Sequence, residues 1–128
     1  MAFILLPKNG DSVHVNGWNW RPTLVLVRAK ELISDSEYEQ LGTHGCGVEV
    51  SANVAYLIAD VIGEQLATMR PGERLLADLT VSRVAKKEVT LGPAMAAEPD
   101  VNDLYSATYE WLATFQDFCK TSGGFSVL

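Results

Sequence analysis

The chain has 128 residues, 48% apolar and 20% charged, and its ten Lys and Arg against sixteen Asp and Glu give a formal charge of −6. That length suits one domain, and a chain of this size buries roughly two-thirds of the surface its unfolded form exposes, so no staple is needed. The negative charge argues against phosphate backbones and anionic lipid and in favour of a basic protein partner, with no direct nucleic-acid binding and no membrane association.

Ala2 to Leu6 is an apolar stretch too short for a signal-peptide core and reads as a strand. Asn9-Gly10 marks a turn, and Ser12 to Val15 returns as the second strand of a hairpin, with Val13 and Val15 on one face. Trp18 and Trp20 follow within Asn16 to Pro22, two of three tryptophans in the chain. Pro22 suits a first helical position, which predicts a shorter helix over about 22–34; the β-rich run Thr23 to Val27 leaves a strand as the alternative. Trp20 is assigned to the core with Trp111 and Phe115, and Trp18 to the surface as a partner-binding anchor.

A capped short helix over 35–41 ends at Gly42, and Gly42, Gly45 and Gly47 make a loop. Ser51 caps a long helix over about 51–69, stopped by Pro71-Gly72. Val54, Ile58, Val61, Ile62, Gln65 and Met69 form its apolar stripe, and the small residues Ala52, Ala55, Ala59 and Gly63 beside it permit another helix to approach closely. Alternation over Leu75, Ala77, Leu79 and Val81, and again at 88–91, predicts two short strands. Asp100 caps the last long helix, about 100–121, whose stripe runs through Val101, Leu104, Tyr105, Thr108, Trp111, Leu112, Phe115, Phe118 and Cys119. Gly123-Gly124 supplies a left-handed stop, and Phe125, Val127 and Leu128 fold back as a short strand, capture of that tail by a partner being the alternative. The sum is an α+β single compact domain, residues 1–128, with two long helices, a shorter one and a small antiparallel sheet.

Chemistry is sparse. His44, Cys46 and Glu49 offer at most three metal ligands with no second cluster, so no metal and no cofactor are expected. Cys46 beside His44, and Asp11, Ser12 and His14 on one hairpin, are too close in sequence to converge as nucleophile and base. No nucleophile elbow, phosphate-cradling loop or zinc-protease helix occurs, so no catalytic residue is assigned. Asp103, Glu110 and Asp117 recur at seven-residue steps, about 10 Å apart along a helix at 1.5 Å per residue. Such a strip docks a basic partner; the competing reading is a solvated helix face. Glu37 with Glu39 and Asp60 with Glu64 are spaced for exposure to water. Cys46 and Cys119 match no metal or redox spacing, so a reduced, cytoplasmic chain is expected, one bridge being the alternative.

The opening Asn16-Gly17-Trp18-Asn19-Trp20, the glycine-rich loop leading to Val50-Ser51 and the ending Phe115, Phe118, Gly123-Gly124-Phe125 resemble a group of small uncharacterised bacterial proteins. The resemblance covers about half the chain, in pieces, and implies a bacterial cytosolic origin but no activity. Three functions are weighed. The first is an immunity- or antitoxin-type inhibitor that neutralises a basic protein. The second is an inhibitor that mimics nucleic acid, as phage counter-defence proteins do, and the third an enzyme whose site is assembled only by the fold. Homodimerisation stays open.

Overall fold

A computed structural model of the chain describes residues 2–43, 48–83 and 105–128. Strands β1 (Ala2–Pro7) and β2 (Val13–Asn16) form the expected hairpin, Phe3 opposite Val15 and Leu5 opposite Val13. Strand β3 is Val48–Ser51, and in the second sheet β4 is Arg74–Leu76, β5 Val81–Ser82 and β6 Ser106–Thr108; β7, Gly124–Val127, closes the chain. The first sheet is antiparallel in the order β2-β1-β7-β3, so the expected terminal strand lies in its interior. The small sheet is thus joined by a second, ordered β5-β4-β6. The expected alternating strand over 75–81 is broken by the turn at 77–80, where Leu79 has φ +69° and the Asp78 carboxylate accepts from the Thr80 backbone and hydroxyl. The expected strand over 88–91, the cap at Asp100, and His44, Cys46 and Asp103 lie outside the described residues.

Four helices complete the described architecture, which is α+β as expected. Helix α1 runs Gly17–Ala29 and α2 Asp35–Thr43; α3 runs Ala52–Ala67 and α4 Tyr109–Thr121. The run Thr23 to Val27 is helical, because α1 is wedged between β6 and α2 and buries Thr23, Leu24, Leu26 and Val27. Helix α1 starts five residues before Pro22 because the Asn16 side chain caps it, accepting from the Asn19 N–H at 2.8 Å. Pro22 therefore stands in the second turn, where it removes one donor from the ladder, and the burial around it outweighs that loss. The helix ends in a Schellman arrangement with Glu31 at φ +60° and bonds from Glu31 N–H to Arg28 C=O and from Leu32 N–H to Val27 C=O.

A capping box opens α2: the Ser34 hydroxyl accepts from Glu37 N–H at 3.1 Å, and the Glu37 carboxylate accepts from Ser34 N–H at 3.0 Å. Gly42 does not end this helix, which runs on to Thr43. Helix α3 has the expected cap at Ser51 and stops two residues short of Met69. The last long helix begins at Tyr109 rather than near 100, since Ser106–Thr108 pairs as a strand with β4 and the Thr108 hydroxyl then caps α4 through Trp111 N–H at 3.1 Å.

The buried aromatic rings gather around Phe115. Trp20, Trp111, Phe118 and Phe125 surround Phe115, with ring centroids 5.4 to 6.4 Å apart, in stacked and edge-on arrangements. Both buried indoles are satisfied: Trp20 Nε1 donates to Leu41 C=O and Trp111 Nε1 to Thr23 Oγ1, each at 3.0 Å. The small-residue row of α3 meets α4 as expected, close enough that a methyl group on Gly63 would press against the Gln116 amide.

Candidate functional site

The interior is filled. Within it lies a void of about 10 Å³ lined by Trp20, Val27, Leu41, Phe115 and other apolar side chains together with Thr23, whose hydroxyl is already engaged by Trp111 and Asn19, so it is room for one water at most. Among the described residues no group of three or more His, Cys, Asp or Glu side chains is placed to hold a metal ion, and Glu49 points outward from β3. No helix of the described residues is long and apolar enough to cross a membrane. Burial pushes the Cys119 thiol far up from its ordinary value. The surface is therefore where the distinctive groupings lie.

Of the three carboxylates expected to align, Glu110 and Asp117 are exposed on α4. Helix α4 begins only after strand β6, Ser106–Thr108, so no continuous helix carries the strip. Glu110 is also engaged, one carboxylate oxygen accepting from Gly72 N–H at 3.1 Å and holding the turn that follows α3. Acidity is instead shared between two helices. Helix α3 has no basic residue from Ala52 to Ala67, and Asp60 and Glu64 stand exposed on it with no ion pair among the described residues. Beside them Tyr56 is 53% and Leu57 49% exposed.

The two helices pack side by side and run in opposite directions. Helix α3 leaves β3 where α4 enters β7, at the paired residues Ser51 and Gly124, and Gln116 Nε2 donates to Ala59 C=O at 3.4 Å. Exposed on α3 are Tyr56, Leu57, Asp60 and Glu64, the two acids lying between the two apolar residues around the helix, and exposed on α4 are Glu110 and Asp117, with Lys120 as a basic exception. Exposed apolar residues set beside charge are the composition of docking surfaces. Sequence reasoning passed over Tyr56 and Leu57, although both lie off the apolar stripe of α3, which was the available signal.

Trp18 is placed as expected, 39% exposed while Trp20 is buried. Its ring lies 4.7 Å from that of Tyr105, and the Arg21 guanidinium sits 5.3 Å from the same Tyr105 ring. The two tryptophans part company because both lie in the first turns of α1, where two residues span about 200°, rather than by strand alternation. No family model matches the chain, and comparisons with curated proteins and with solved structures find no match.

Proposed function

We propose that the chain is a small acidic protein-binding domain that docks a basic protein partner through the outward faces of α3 and α4 and acts as an immunity- or antitoxin-type inhibitor. The observation that carries this reading is the grouping of exposed Tyr56 and Leu57 with exposed Asp60 and Glu64 on a helix that has no basic residue. A contact of this kind separates the two tasks of an interface: Tyr56 and Leu57 supply apolar area that is desolvated on docking, and the carboxylates of Asp60 and Glu64 between them speed the encounter with a positive surface and set its orientation. Net charge of −6 adds long-range attraction for such a surface. Trp18, Tyr105 and Arg21 provide a further anchor built from residue types that dominate interface energies.

The test is parallel capture from host lysate on wild-type chain, on Tyr56→Ala/Leu57→Ala and on Asp60→Lys/Glu64→Lys. The expected result is one dominant basic protein held by the wild type and lost from both variants. Truncating the apolar pair should weaken binding by about 30-fold or more, the loss of about 2 kcal/mol typical of an interface centre. Charge reversal should slow association and flatten its salt dependence. Equal retention on all three would remove these helices from the interface, and displacement of the partner by DNA or RNA would identify nucleic-acid mimicry instead.

A further inference from the structure

The chain holds two Asn-Gly pairs, Asn9-Gly10 and Asn16-Gly17, and the fold treats them differently. An asparagine followed by glycine is open to attack on its side-chain carbonyl carbon by the next backbone nitrogen, because glycine has no Cβ to obstruct the approach. Both asparagines are exposed, so exposure does not separate them. Their hydrogen bonds do. Asn16 Oδ1 accepts from the Asn19 N–H at 2.8 Å and from Asn19 Nδ2 at 3.2 Å, and Gly17 is already the first residue of α1. Attack by the Gly17 nitrogen therefore requires the cap of α1 to release.

Asn9-Gly10 lies in the exposed connection 8–12 between β1 and β2, and no hydrogen bond among the described residues holds the Asn9 side-chain amide or the Gly10 N–H. Gly10 has φ +91° and open space where a Cβ would stand. What is fixed is the side of Asn9 away from the reaction. Its own N–H donates to Ser122 C=O at 2.9 Å, and Lys8 N–H donates to Gly124 C=O at 3.0 Å. These bonds hold Asn9 at the end of α4, its side-chain nitrogen 2.7 Å from where a Cβ on Gly123 would lie.

We propose that Asn9 is a modification site, at which the chain converts its own amide to a carboxylate through a cyclic imide and so loosens the junction between the hairpin and α4. The Gly10 nitrogen loses its proton to solvent and bonds to Asn9 Cγ. The Cγ–Nδ2 bond breaks, and the leaving nitrogen takes a proton from solvent and departs as ammonia. Water then opens the imide: addition at Cγ gives aspartate, and addition at the backbone carbonyl gives isoaspartate, whose main chain runs through one extra carbon. The sum is hydrolysis of one amide by one water, with no oxidant, reductant or enzyme. Either product adds a negative charge beside the last carbonyls of α4, where the helix already concentrates partial negative charge.

Incubation of the full chain in neutral buffer at physiological temperature, with peptide mapping by mass spectrometry over time, tests the assignment. In the folded chain Asn9 should convert about tenfold faster than Asn16 or more, the factor imposed by a cap worth about 1.4 kcal/mol. In the urea-unfolded chain, where no cap exists, the two should convert at similar rates. Gly10→Ala, its fold checked by circular dichroism, should slow conversion at Asn9 by about tenfold. Asn9→Asp, which is one of the two products, should unfold about 1–4 °C below the wild type. Conversion at Asn16 as fast as at Asn9 in the folded chain, a wild-type rate in Gly10→Ala, or an Asn9→Asp chain as stable as the wild type would each overturn the proposal.

Discussion

The bond between Trp111 and Thr23 joins α4 to α1 through the centre of the molecule, and replacing Thr23 by Val removes its acceptor while keeping the shape. Thr23 is fully buried, and its hydroxyl both accepts from Trp111 Nε1 at 3.0 Å and donates to Asn19 C=O at 2.9 Å. Valine leaves the indole N–H buried without a partner, at a cost of about 2 kcal/mol, whereas the Asn19 carbonyl keeps its place in the helix. Trp111→Phe costs about the same, through lost contact area and a small cavity. Once the indole is gone the hydroxyl has no donor to serve, so Thr23→Val in that background should cost no more than about 0.5 kcal/mol. The double-mutant cycle should therefore show a coupling of about 1.5 kcal/mol. Urea and thermal unfolding followed by far-ultraviolet circular dichroism measure it; each kcal/mol corresponds to roughly 4 °C for a chain of this length. Additive effects, or a Thr23→Val chain within about 0.5 kcal/mol of wild type, would falsify the claim that this bond ties the two helices.

Glu31→Gly should stabilise the chain by about 1 kcal/mol in the same unfolding assay, since Glu31 holds φ +60° at the end of α1, where glycine escapes the penalty of a side chain. Gly124→Ala and Gly63→Ala should differ in severity. At Gly124 the backbone is at φ +102° and a Cβ would lie 2.9 Å from the Val50 carbonyl, so a loss of about 3 kcal/mol is expected; at Gly63 the obstacle is the mobile Gln116 amide, and helix propensity offsets its displacement to within about 1 kcal/mol. Cys119, its thiol pushed up by burial, should resist alkylation in the native chain, as peptide mapping would show. The sign of its pH effect follows: the contribution is whole below the ordinary thiol value of 9.0 and is lost as pH rises above it toward the raised native value, by up to about 1.4 kcal/mol per pH unit. Cys119→Ala should remove that part of the alkaline decline.

What was legible in the sequence is what one-sided burial writes locally. The stripes of α3 and α4 and the small-residue row between them follow from helical period alone, and so does the left-handed stop at Gly123 and Gly124 from the freedom of glycine. Strand pairing is not local. Ser106 to Thr108 forms a strand because Arg74 to Leu76 offers a partner far away in sequence, and that pairing moved the start of α4 and broke the expected acidic strip. The expected start of α1 at Pro22 is five residues late because the Asn16 side chain caps the helix earlier and Trp20 is buried in its first turn. The docking surface was half legible: Asp60 and Glu64 were read as solvated, which they are, but their union with α4 depends on which helix fills the small-residue row. The strand order of the first sheet is set by the insertion of β7 between β1 and β3, which no local pattern encodes.

Chemical-shift mapping of the isotope-labelled chain titrated with its captured basic partner bears most directly on the proposed function. The account predicts perturbations centred on Tyr56, Leu57, Asp60, Glu64 and Asp117, with Trp18 and Tyr105 following. Perturbations confined to β1, β2 and β7, with α3 and α4 unmoved at saturation, would contradict it.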